Sequence, residues 1–401
     1  MDRLFRFLTA GESHGQALVT IIEGMVAGLA LSEQYISNHL ARRQKGYGRG
    51  PRMQIESDEA DILSGVRHGF TLGSPISLLI RNREWENSSI TAGQPWNQTM
   101  SVSPVGVNIE PVTRLRPGHA DLPGVIKYNQ QDVRNILERA SARETAARVA
   151  VGAVARRFLE EFGIEIHSHT IAIGEQTSEF SDAIDWAKVE ASEVRCTDIK
   201  AGKAMIDAIK QAKEKGDTLG GIFEVIASGV PVGLGSHVHW ERRLNAQIAQ
   251  AVMSIHAVKG VEIGAGFAGA AFSGSEFHDV ILPGKSRKSW QRTTNRAGGI
   301  EGGMSNGEPI VIRAAVKPIA TLANPLPSID MNTGKAVRAH YERSDVCIVP
   351  AAGVVGEAML AIVLTNAMLE KFGGDSLEET KRNYTAYIRN MPLKRGVQNG
   401  G

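Results

Sequence analysis

The chain has 401 residues, and its hydrophobic (42%) and charged (22%) fractions are those of an ordinary globular protein. Lysine and arginine number 45 against 43 aspartate and glutamate, so the net charge of +2 excludes a global field that would gather nucleic acid or an anionic membrane. Two cysteines, Cys196 and Cys347, are too few for a disulfide framework or a metal cage, and with no leader or membrane span predicted they favour the cytoplasm.

The first predicted elements are two strands, at residues 3–8 and 18–23, around the glycine-rich turn TAGESHG. Residues 11–15 of that turn fit the G-x-S-x-G pattern of a hydrolase nucleophile elbow. Such an elbow stands in the middle of a sheet and needs an oxyanion hole from an earlier loop, which ten residues do not provide. The pattern therefore favours a glycine turn over a nucleophilic Ser13, and it leaves a role for His14 open.

Four helices are predicted further along the chain. Ser32 caps the first, which is followed by the basic loop RRQKGYGRGPR. The second starts at a capping box formed by Ser141 and Glu144, and the others cover residues 243–259 and 353–372.

Strand-like runs, among them IFEVIASGV, VEIGAGF and PIVIRAAV, are interspersed with these helices without strict βαβ alternation. The pattern predicts an α+β fold, with long helices packed on mainly antiparallel sheet, rather than a doubly wound parallel fold. No linker or repeat marks a boundary, so residues 1–401 are predicted to form a single domain with a flexible tail from about residue 390.

Two further motifs are weaker than they look. GAGFAG, at residues 264–269, fits a dinucleotide-binding pattern, but no helical stripe follows it and no acidic residue stands about 20 positions on, so a turn is favoured. LPGKSRK resembles the end of a phosphate-binding loop, but Asp279 stands where the first glycine belongs. No metal-binding spacing occurs in the sequence, and no metal is predicted.

Four segments combine glycine, arginine and histidine more densely than core packing requires: GESHG, RRQKGYGRGPR, RLRPGHADLPG with the LERASARET downstream of it, and NRAGGIEGGMSNG. The basic loop suits phosphate or carboxylate groups, although solvated basic loops are common. In the third segment a Pro-Gly turn presents His119, and the amides of residues 141–143 between Arg139 and Arg143 suit an anion, with ordinary capping as the alternative. The glycines of the last segment suit close approach to a flat ligand or paired turns.

With these segments in this order, the chain resembles the chorismate synthase family. The shared motifs are GESHG, RRQ-x-GYGRG, RPGHAD, LERASARETAARVA, MSIHAVKGVEIG, NRAGGIEGGMSNG, KPIAT and RSDVC, which together span nearly the whole chain. The resemblance implies a carbon–oxygen lyase that converts 5-enolpyruvylshikimate 3-phosphate into chorismate by 1,4-anti elimination of phosphate and a ring proton. Reduced FMN (FMNH2) is required without net redox change. The implied fold is a single-domain β-α-β sandwich, with long helices between mainly antiparallel sheets, that assembles into a homotetramer.

The resemblance also assigns roles position by position. His14 would protonate the departing phosphate, His119 would stabilise the reduced flavin, and Asp345 would help the flavin accept the ring proton. The implied substrate-binding residues are Ser13, Arg43, Arg49, Arg143 and Arg343. The implied cofactor-binding residues are Arg43, Arg49, Arg139, Ala140, Ser141, His256, Ala257, Gly302, Lys317, Pro318, Ile319, Ala320, Thr321 and Arg343.

Two alternative hypotheses stand beside the lyase. A flavin reductase dependent on NAD(P)H would use the same FMN cleft for another substrate, and a flavin-binding or phosphate-binding module would bind without turnover. Release of phosphate from the shikimate ester separates both from the lyase. No extra nicotinamide segment is evident in the sequence, so NADPH is expected to act only indirectly, through an external flavin reductase.

Overall fold

The fold combines long helices with mainly antiparallel sheets, and the computed structural model describes residues 4–50, 57–86, 95–106, 109–179, 184–286, 288–342 and 344–395. The helices are α1 (Glu33–Gln44), α2 (Arg83–Glu86), α3 (Trp96–Thr99), α4 (Asp121–Tyr128), α5 (Arg134–Ala140), α6 (Thr145–Glu160), α7 (Trp186–Ala191), α8 (Ile199–Glu214), α9 (Leu244–Met253), α10 (Gly274–Phe277), α11 (Val349–Phe372) and α12 (Leu377–Asn390). Short 3-10 helices cover Ala142–Glu144, Trp240–Arg242 and Gly266–Ala271.

The strands are β1 (Arg6–Ala10), β2 (Ala17–Glu23), β3 (Asp61–Ser64), β4 (Val66–Arg67), β5 (Phe70–Thr71), β6 (Ile76–Arg81), β7 (Glu165–Ile173), β8 (Gln176–Thr177), β9 (Gly221–Ser228), β10 (Val258–Ile263), β11 (Ile281–Pro283), β12 (Ser289–Arg292), β13 (Ile300–Glu301), β14 (Met304–Ser305), β15 (Ile310–Val316), β16 (Pro327–Ile329), β17 (Ala336–Arg338) and β18 (Lys394–Arg395). The two largest sheets have the strand orders β1-β2-β6-β3 and β10-β15-β9-β7-β8.

In the first sheet every strand pair is antiparallel. Leu18 lies opposite Ile80 and Ile22 lies opposite Ile76, and all four side chains are buried. Because alternate residues of a strand point to the same face, this register buries one apolar face of the sheet. The glycine turn predicted between the first two strands joins β1 to β2, although β1 begins later than predicted.

The second sheet is also antiparallel throughout, in agreement with the sequence pattern. Its strands β9 and β15 bring Val225 opposite Ile312 and Ala227 opposite Ile310, and these side chains are buried. Each buried aliphatic side chain of valine size or larger stabilises the fold by about 1.5–3 kcal/mol relative to an exposed one.

Helices α6 and α11 pack closely against each other, and they contact strands of both large sheets. A Cβ atom on Gly152 of α6 would lie 2.2 Å from the Cβ of Ala358 on α11, so this close approach requires glycine. An 18-residue window of α11 is apolar enough to cross a membrane, but 94% of it is buried inside the protein. The composition of α11 is therefore that of a core helix, as the sequence predicted for this stretch.

The helix predicted over residues 243–259 is wrong in its last part. Helix α9 ends at Met253, and residues 258–263 form β10. Ala257 adopts a φ of 66°, which a right-handed helix excludes, and its carbonyl accepts the N–H of Lys317. Pairing of β10 with β15 therefore overrides the helical prediction for residues 258–259, whereas residues 261–263 belong to the run VEIGAGF that was predicted as strand-like.

The capping box predicted at Ser141 is also wrong in part. Ser141 accepts the backbone N–H of Arg143, as a cap should, but a 3-10 turn precedes α6. The carboxylate of Glu144 accepts from the hydroxyl of Thr9 at 2.8 Å and pairs with Arg148, so the reciprocal half of the box is not formed.

The predicted flexible tail begins inside α12, which extends to Asn390. Beyond it, β18 pairs in parallel with β12. The rest of that tail, residues 396–401, lies outside the described residues.

Candidate active site

A cavity of about 990 Å³ opens among segments that are far apart in the chain. Its walls come from the GESHG turn, the end of α1 with the loop after it, the start of α6, the segment after β15 and the first turns of α11 with the residues before it. Binding sites for small molecules usually measure about 300–1,000 Å³, so the cavity has room for a sizeable ligand. All three candidate catalytic residues, His14, His119 and Asp345, line it.

The GESHG turn holds its shape through glycine and a buried amide. Gly11 has a φ of 104°, and a Cβ there would lie 2.3 Å from a carbonyl oxygen of β2, so glycine is required. The side chain of Asn82 donates to the carbonyls of Glu12 and Gly15 at 3.2 and 2.6 Å. The backbone of the turn is therefore fixed where it carries the side chain of His14.

The ring of His14 is held on several sides. Its Nδ1 lies 2.9 Å from Oε1 of Glu138, and its backbone N–H donates to Oε2 of the same carboxylate at 2.7 Å. Its Nε2 lies 3.7 Å from Oε2 of Glu84, and the indole of Trp96 stacks on the imidazole with ring centres 3.8 Å apart. Glu138 and Glu84 are both buried. A histidine held in this way keeps one orientation toward the cavity.

His119 is held by a carboxylate close to it in sequence. Gly118 has a φ of 78°, as the predicted turn requires, and Nδ1 of His119 lies within hydrogen-bonding distance of Asp121. Arg116 contacts the same carboxylate at 2.9 Å through Nε. Burial alone would raise the pKa of Asp121, but hydrogen bonds from His119 and Arg116 lower it to about 2. Asp121 is therefore an anion that orients the histidine.

Two of the predicted substrate-binding arginines share one buried carboxylate. Arg43 contacts Oδ2 of Asp58 at 2.8 Å, and Arg143 pairs with its Oδ1. Burial alone would raise the pKa of Asp58, but the two guanidinium groups lower it. Arg143 also donates from Nε to the Asn82 side chain at 3.0 Å. Asp58 therefore holds the two guanidinium groups beside the cavity, whose walls include both residues.

The third arginine, Arg49, pairs with the third catalytic candidate. Its Nη1 lies 3.2 Å from Oδ2 of Asp345, whose Oδ1 accepts the backbone N–H of Gly50. The remaining predicted arginine, Arg343, lies outside the described residues, as do residues 51 and 52 of the basic loop.

Most of the predicted cofactor positions share the same cavity. Those that line it, beyond Arg43 and Arg49, are Ala140, Ser141, His256, Ala257, Lys317, Ile319, Ala320 and Thr321. Arg139, Gly302 and Pro318 do not line it. Arg139 instead donates to the carbonyls of Thr9 and Gly11, and Gly302 lies in the turn between β13 and β14.

The anion site predicted from the free amides of residues 141–143 is therefore altered. Ser141 takes up the Arg143 N–H with its own hydroxyl oxygen, and its Oγ–H points to Oγ of Ser13 at 3.2 Å. Arg139 turns away toward β1 rather than flanking those amides. Arg143 keeps its place on the cavity wall.

One wall of the cavity is apolar, and one polar atom at its edge lacks a partner. The apolar side chains are Leu137, Ile255, Ile319, Ile348, Ala351, Ala352 and Val355. Nδ1 of His256 is buried without a hydrogen-bond partner among the described residues, and it lies 4.0 Å from Glu144. Burial lowers the pKa of His256. This edge suits a flat, mainly apolar ligand that carries a polar group.

Sequence reasoning missed several charged or aromatic residues of the site: Asp58, Glu84, Trp96, Arg116, Asp121, Arg134, Glu138 and Glu342. Asp121 was detectable, since an acidic residue two positions after a turn histidine is within reach of its ring. The partners of His14 and of the arginines come from remote segments, and no local pattern marks them. Within the described part of the chain, no group of three or more metal-ligating side chains is placed to hold an ion.

Comparisons of the sequence and of the structure with known proteins all find chorismate synthases. Residues 5–369 match the protein family described as "Chorismate synthase". The chorismate synthases of Desulforudis audaxviator and Moorella thermoacetica are 54% and 55% identical to the chain, over 98% and 96% of its length and 99% and 98% of their own. A solved structure described as "Crystal Structure of Chorismate Synthase" superposes with a TM-score of 0.76 at 46% identity, covering 97% of this chain and 98% of that one.

Proposed function

The chain belongs to the chorismate synthase family and is a carbon–oxygen lyase, and we propose that the cavity lined by His14 and His119 is its active site. Chorismate synthase activity removes phosphate and a ring proton from 5-enolpyruvylshikimate 3-phosphate by 1,4-anti elimination, and the product is chorismate. The observation that carries the proposal is that His14, His119 and Asp345 all line the same cavity. These three residues are more than 100 positions apart from one another in sequence.

The arginines of this cavity bind the anionic groups of the substrate. The ester carries a phosphate and two carboxylates, and guanidinium groups suit such oxyanions because they donate paired hydrogen bonds. Arg43 and Arg143 are pre-oriented by Asp58, and Arg49 is pre-oriented by Asp345. This arrangement limits the rotamer freedom that the arginines lose when the substrate binds.

His14 acts as the general acid for the departing phosphate. A phosphate leaves poorly as a trianion, and protonation by a positioned histidine accelerates such a step by about 10²–10⁴-fold. The ring lies between Glu138 and Glu84 on the cavity wall, and Trp96 covers one of its faces. Ser13, whose hydroxyl contacts Ser141, supports the turn that carries the acid.

The residues of the cavity fit reduced FMN as the cofactor. The apolar wall suits the flat ring, and the partnerless Nδ1 of His256 suits a polar group at the ring edge. Ala140, Ser141, Ala257, Lys317, Ile319, Ala320 and Thr321 would hold the cofactor. When bound, reduced FMN would supply electron density and a basic site for the ring proton of the substrate. His119, oriented by Asp121, would stabilise the reduced cofactor, and Asp345, paired with Arg49, would help the cofactor to take up the ring proton of the substrate.

We further propose the organisation in which this site works. The whole chain forms one β-α-β sandwich domain, four copies assemble into a homotetramer in the cytoplasm, and an external flavin reductase supplies FMNH2 at the expense of NADPH. The cofactor predictions for Arg139, Gly302, Pro318 and Arg343 stay predictions.

An anaerobic assay tests the proposed function. The purified protein is mixed with reduced FMN and 5-enolpyruvylshikimate 3-phosphate, and chorismate and phosphate are expected to appear in equal amounts. A parallel reaction with oxidised FMN and NADPH should give no chorismate until a flavin reductase is added. Absence of both products in the first reaction would refute the lyase, and chorismate formation without the added reductase would refute external reduction.

A further inference from the structure

We infer that Glu138 is a positioning residue that holds His14 with Nε2 as the atom that exchanges a proton, an inference that rests on the proposed role of His14. Glu138 stands near the end of α5, 124 residues beyond the histidine. Neither its place in the sequence nor the motif around it indicates this contact.

Glu138 holds the GESHG turn at three points. Its backbone carbonyl accepts the N–H of Ser13 at 3.0 Å, and its Oε2 accepts the N–H of His14 at 2.7 Å. Its Oε1 lies 2.9 Å from Nδ1 of the His14 ring. The side chain of Glu138 is only 1% exposed, and among the described residues its ion pair is with His14. One buried residue therefore positions both the backbone and the ring of the candidate acid.

The chemistry of a carboxylate sets the tautomer of the ring. An ionised carboxylate only accepts hydrogen bonds, so Nδ1 of His14 carries a hydrogen in both the neutral and the cationic ring. The proton that the ring gives up must then leave from Nε2. Because Nε2 lies on the opposite side of the ring from Glu138, the contact directs proton transfer away from α5.

Two further contacts keep the ring from turning. The indole of Trp96 stacks on the imidazole at an interplanar angle of 9°, which blocks rotation of the ring through that face. Oε2 of Glu84 lies 3.7 Å from Nε2 of His14, the atom that exchanges the proton. Glu84 and Trp96 both line the cavity, so this edge of the ring belongs to the site.

The test replaces Glu138 by glutamine and reads the His14 tautomer directly. The glutamine amide has one accepting oxygen where the carboxylate has two, and the backbone N–H of His14 needs that oxygen. The amide NH2 then faces Nδ1, which must accept, and the neutral ring moves its hydrogen to Nε2. Solid-state NMR of the holoenzyme with 15N-labelled histidine should show Nδ1 of His14 protonated in the parent and unprotonated in Glu138→Gln, with His14→Asn identifying the signal.

Turnover provides the second measurement, with a matched control. In Glu138→Gln, kcat should fall by about 10- to 100-fold, a part of the 10²–10⁴-fold that general acid catalysis contributes, while KM stays within about twofold. Glu224→Gln is the control, because Glu224 is also buried and also contacts a histidine, with Oε1 2.9 Å from Nε2 of His169, but does not line the cavity. Its kcat should equal that of the parent.

The outcomes separate this inference from the proposed function. A protonated Nδ1 together with parental kcat in Glu138→Gln would overturn the positioning role even if His14→Ala were inactive. Parental kcat in His14→Ala would instead remove the acid, whatever the tautomer in Glu138→Gln. If the glutamine variant does not fold, Glu138→Asp replaces it, since its shorter side chain cannot reach both atoms of His14. A reduced kcat in that variant supports the inference, and a parental kcat overturns it.

Discussion

Two neighbouring arginines on α1, Arg42 and Arg43, belong to two ion clusters, one enclosed in the core and one facing the cavity. Arg42 joins a core cluster, which we define as Arg42, Arg156, Arg195, Glu190 and Glu357. Arg43 joins a site cluster, which we define as Arg43, Arg49, Arg143, Asp58 and Asp345. Each cluster has three arginines and two carboxylates. Their charges are therefore equal, and the difference between them lies in what surrounds those charges.

The core cluster encloses the carboxylate of Glu357, whose side chain is 3% exposed. Glu357 accepts from Arg42 at 2.7 and 3.0 Å, from Arg156 at 2.8 Å and from Ser168 at 2.7 Å. Burial alone would raise the pKa of Glu357, but the arginines hold it far below its usual range. The cavity beside this cluster measures about 10 Å³, which is too small for a ligand. Its charges therefore satisfy each other and serve stability.

The site cluster faces an open volume of about 990 Å³. Its carboxylates orient the arginines but leave room for the oxyanions of a substrate to approach. The comparison shows that the composition of an ion cluster does not reveal its role, since access to a cavity decides it. Substitutions on the two sides should consequently affect different properties of the protein.

The largest expected effect is a loss of turnover on substitution of His14, which lines the cavity. His14→Ala should lower turnover by about 10²–10⁴-fold while the substrate still binds, because it removes the acid and leaves the arginines in place. Anaerobic chorismate formation and equilibrium binding of the ester measure the two properties. His39→Gln, beside the core cluster, is the control and should keep parental turnover. Unchanged turnover in His14→Ala would remove the assigned role.

The next effect is on the core cluster. Glu357→Gln leaves buried guanidinium groups without their carboxylate, so the free energy of unfolding should fall by about 3–5 kcal/mol. Chemical denaturation measures this loss. Glu370→Gln on the same helix is the control, because its pair with Arg242 is exposed and should contribute less than about 1 kcal/mol. Equal losses in the two variants would contradict the assignment of a stabilising role to the core cluster.

A smaller effect is expected at the edge of the site cluster. Arg49→Ala should weaken binding of the ester by about 1.5–3 kcal/mol, since it removes a charge-assisted contact and leaves Asp345 unpaired. Calorimetric titration measures the dissociation constant, with Arg242→Ala as a surface control. If Arg49→Ala binds the ester as tightly as the control does, Arg49 does not contact the substrate.

The smallest effect concerns pH and the core cluster. Burial, with Arg156 and Arg42 nearby, lowers the pKa of His39 from 6.5 to about 3. Between pH 6.5 and about 3, His39 therefore binds a proton in the unfolded chain but not in the folded one. Protonation then favours unfolding, so the free energy of unfolding decreases as the pH falls from about 6.5 toward 3. The difference in unfolding free energy between pH 7 and pH 5 should be smaller in His39→Gln than in the parent. An identical difference would mean that His39 does not carry this pH dependence.

Local signals in the sequence predicted a good part of these elements. Ser32 accepts the N–H of Tyr35 at the start of α1, as its position before an amphipathic stretch indicated. The apolar run that forms α11 was predicted as a buried helix, and Gly373 follows its end. Signals of this kind act within a few residues, where the chain itself carries the information.

Long-range contacts account for the predictions that were wrong. The helix predicted to run to residue 259 ends at Met253, and residues 258–263 pair with β15 as a strand. The carboxylate of Glu144, predicted to complete a capping box with Ser141, instead accepts from Thr9 and pairs with Arg148. In each case the partner comes from another part of the chain, and its energy exceeds the local preference.

The sequence by itself determined the chemistry available to this protein: two histidines on glycine turns, a set of arginines, and the motifs that relate it to a known family. Only the tertiary structure decided which arginine faces the cavity and which is enclosed, and which carboxylate holds each histidine. The physical reason is that hydrogen bonds and ion pairs act over a few ångströms in space, whereas the residues that form them here lie up to 361 positions apart in sequence.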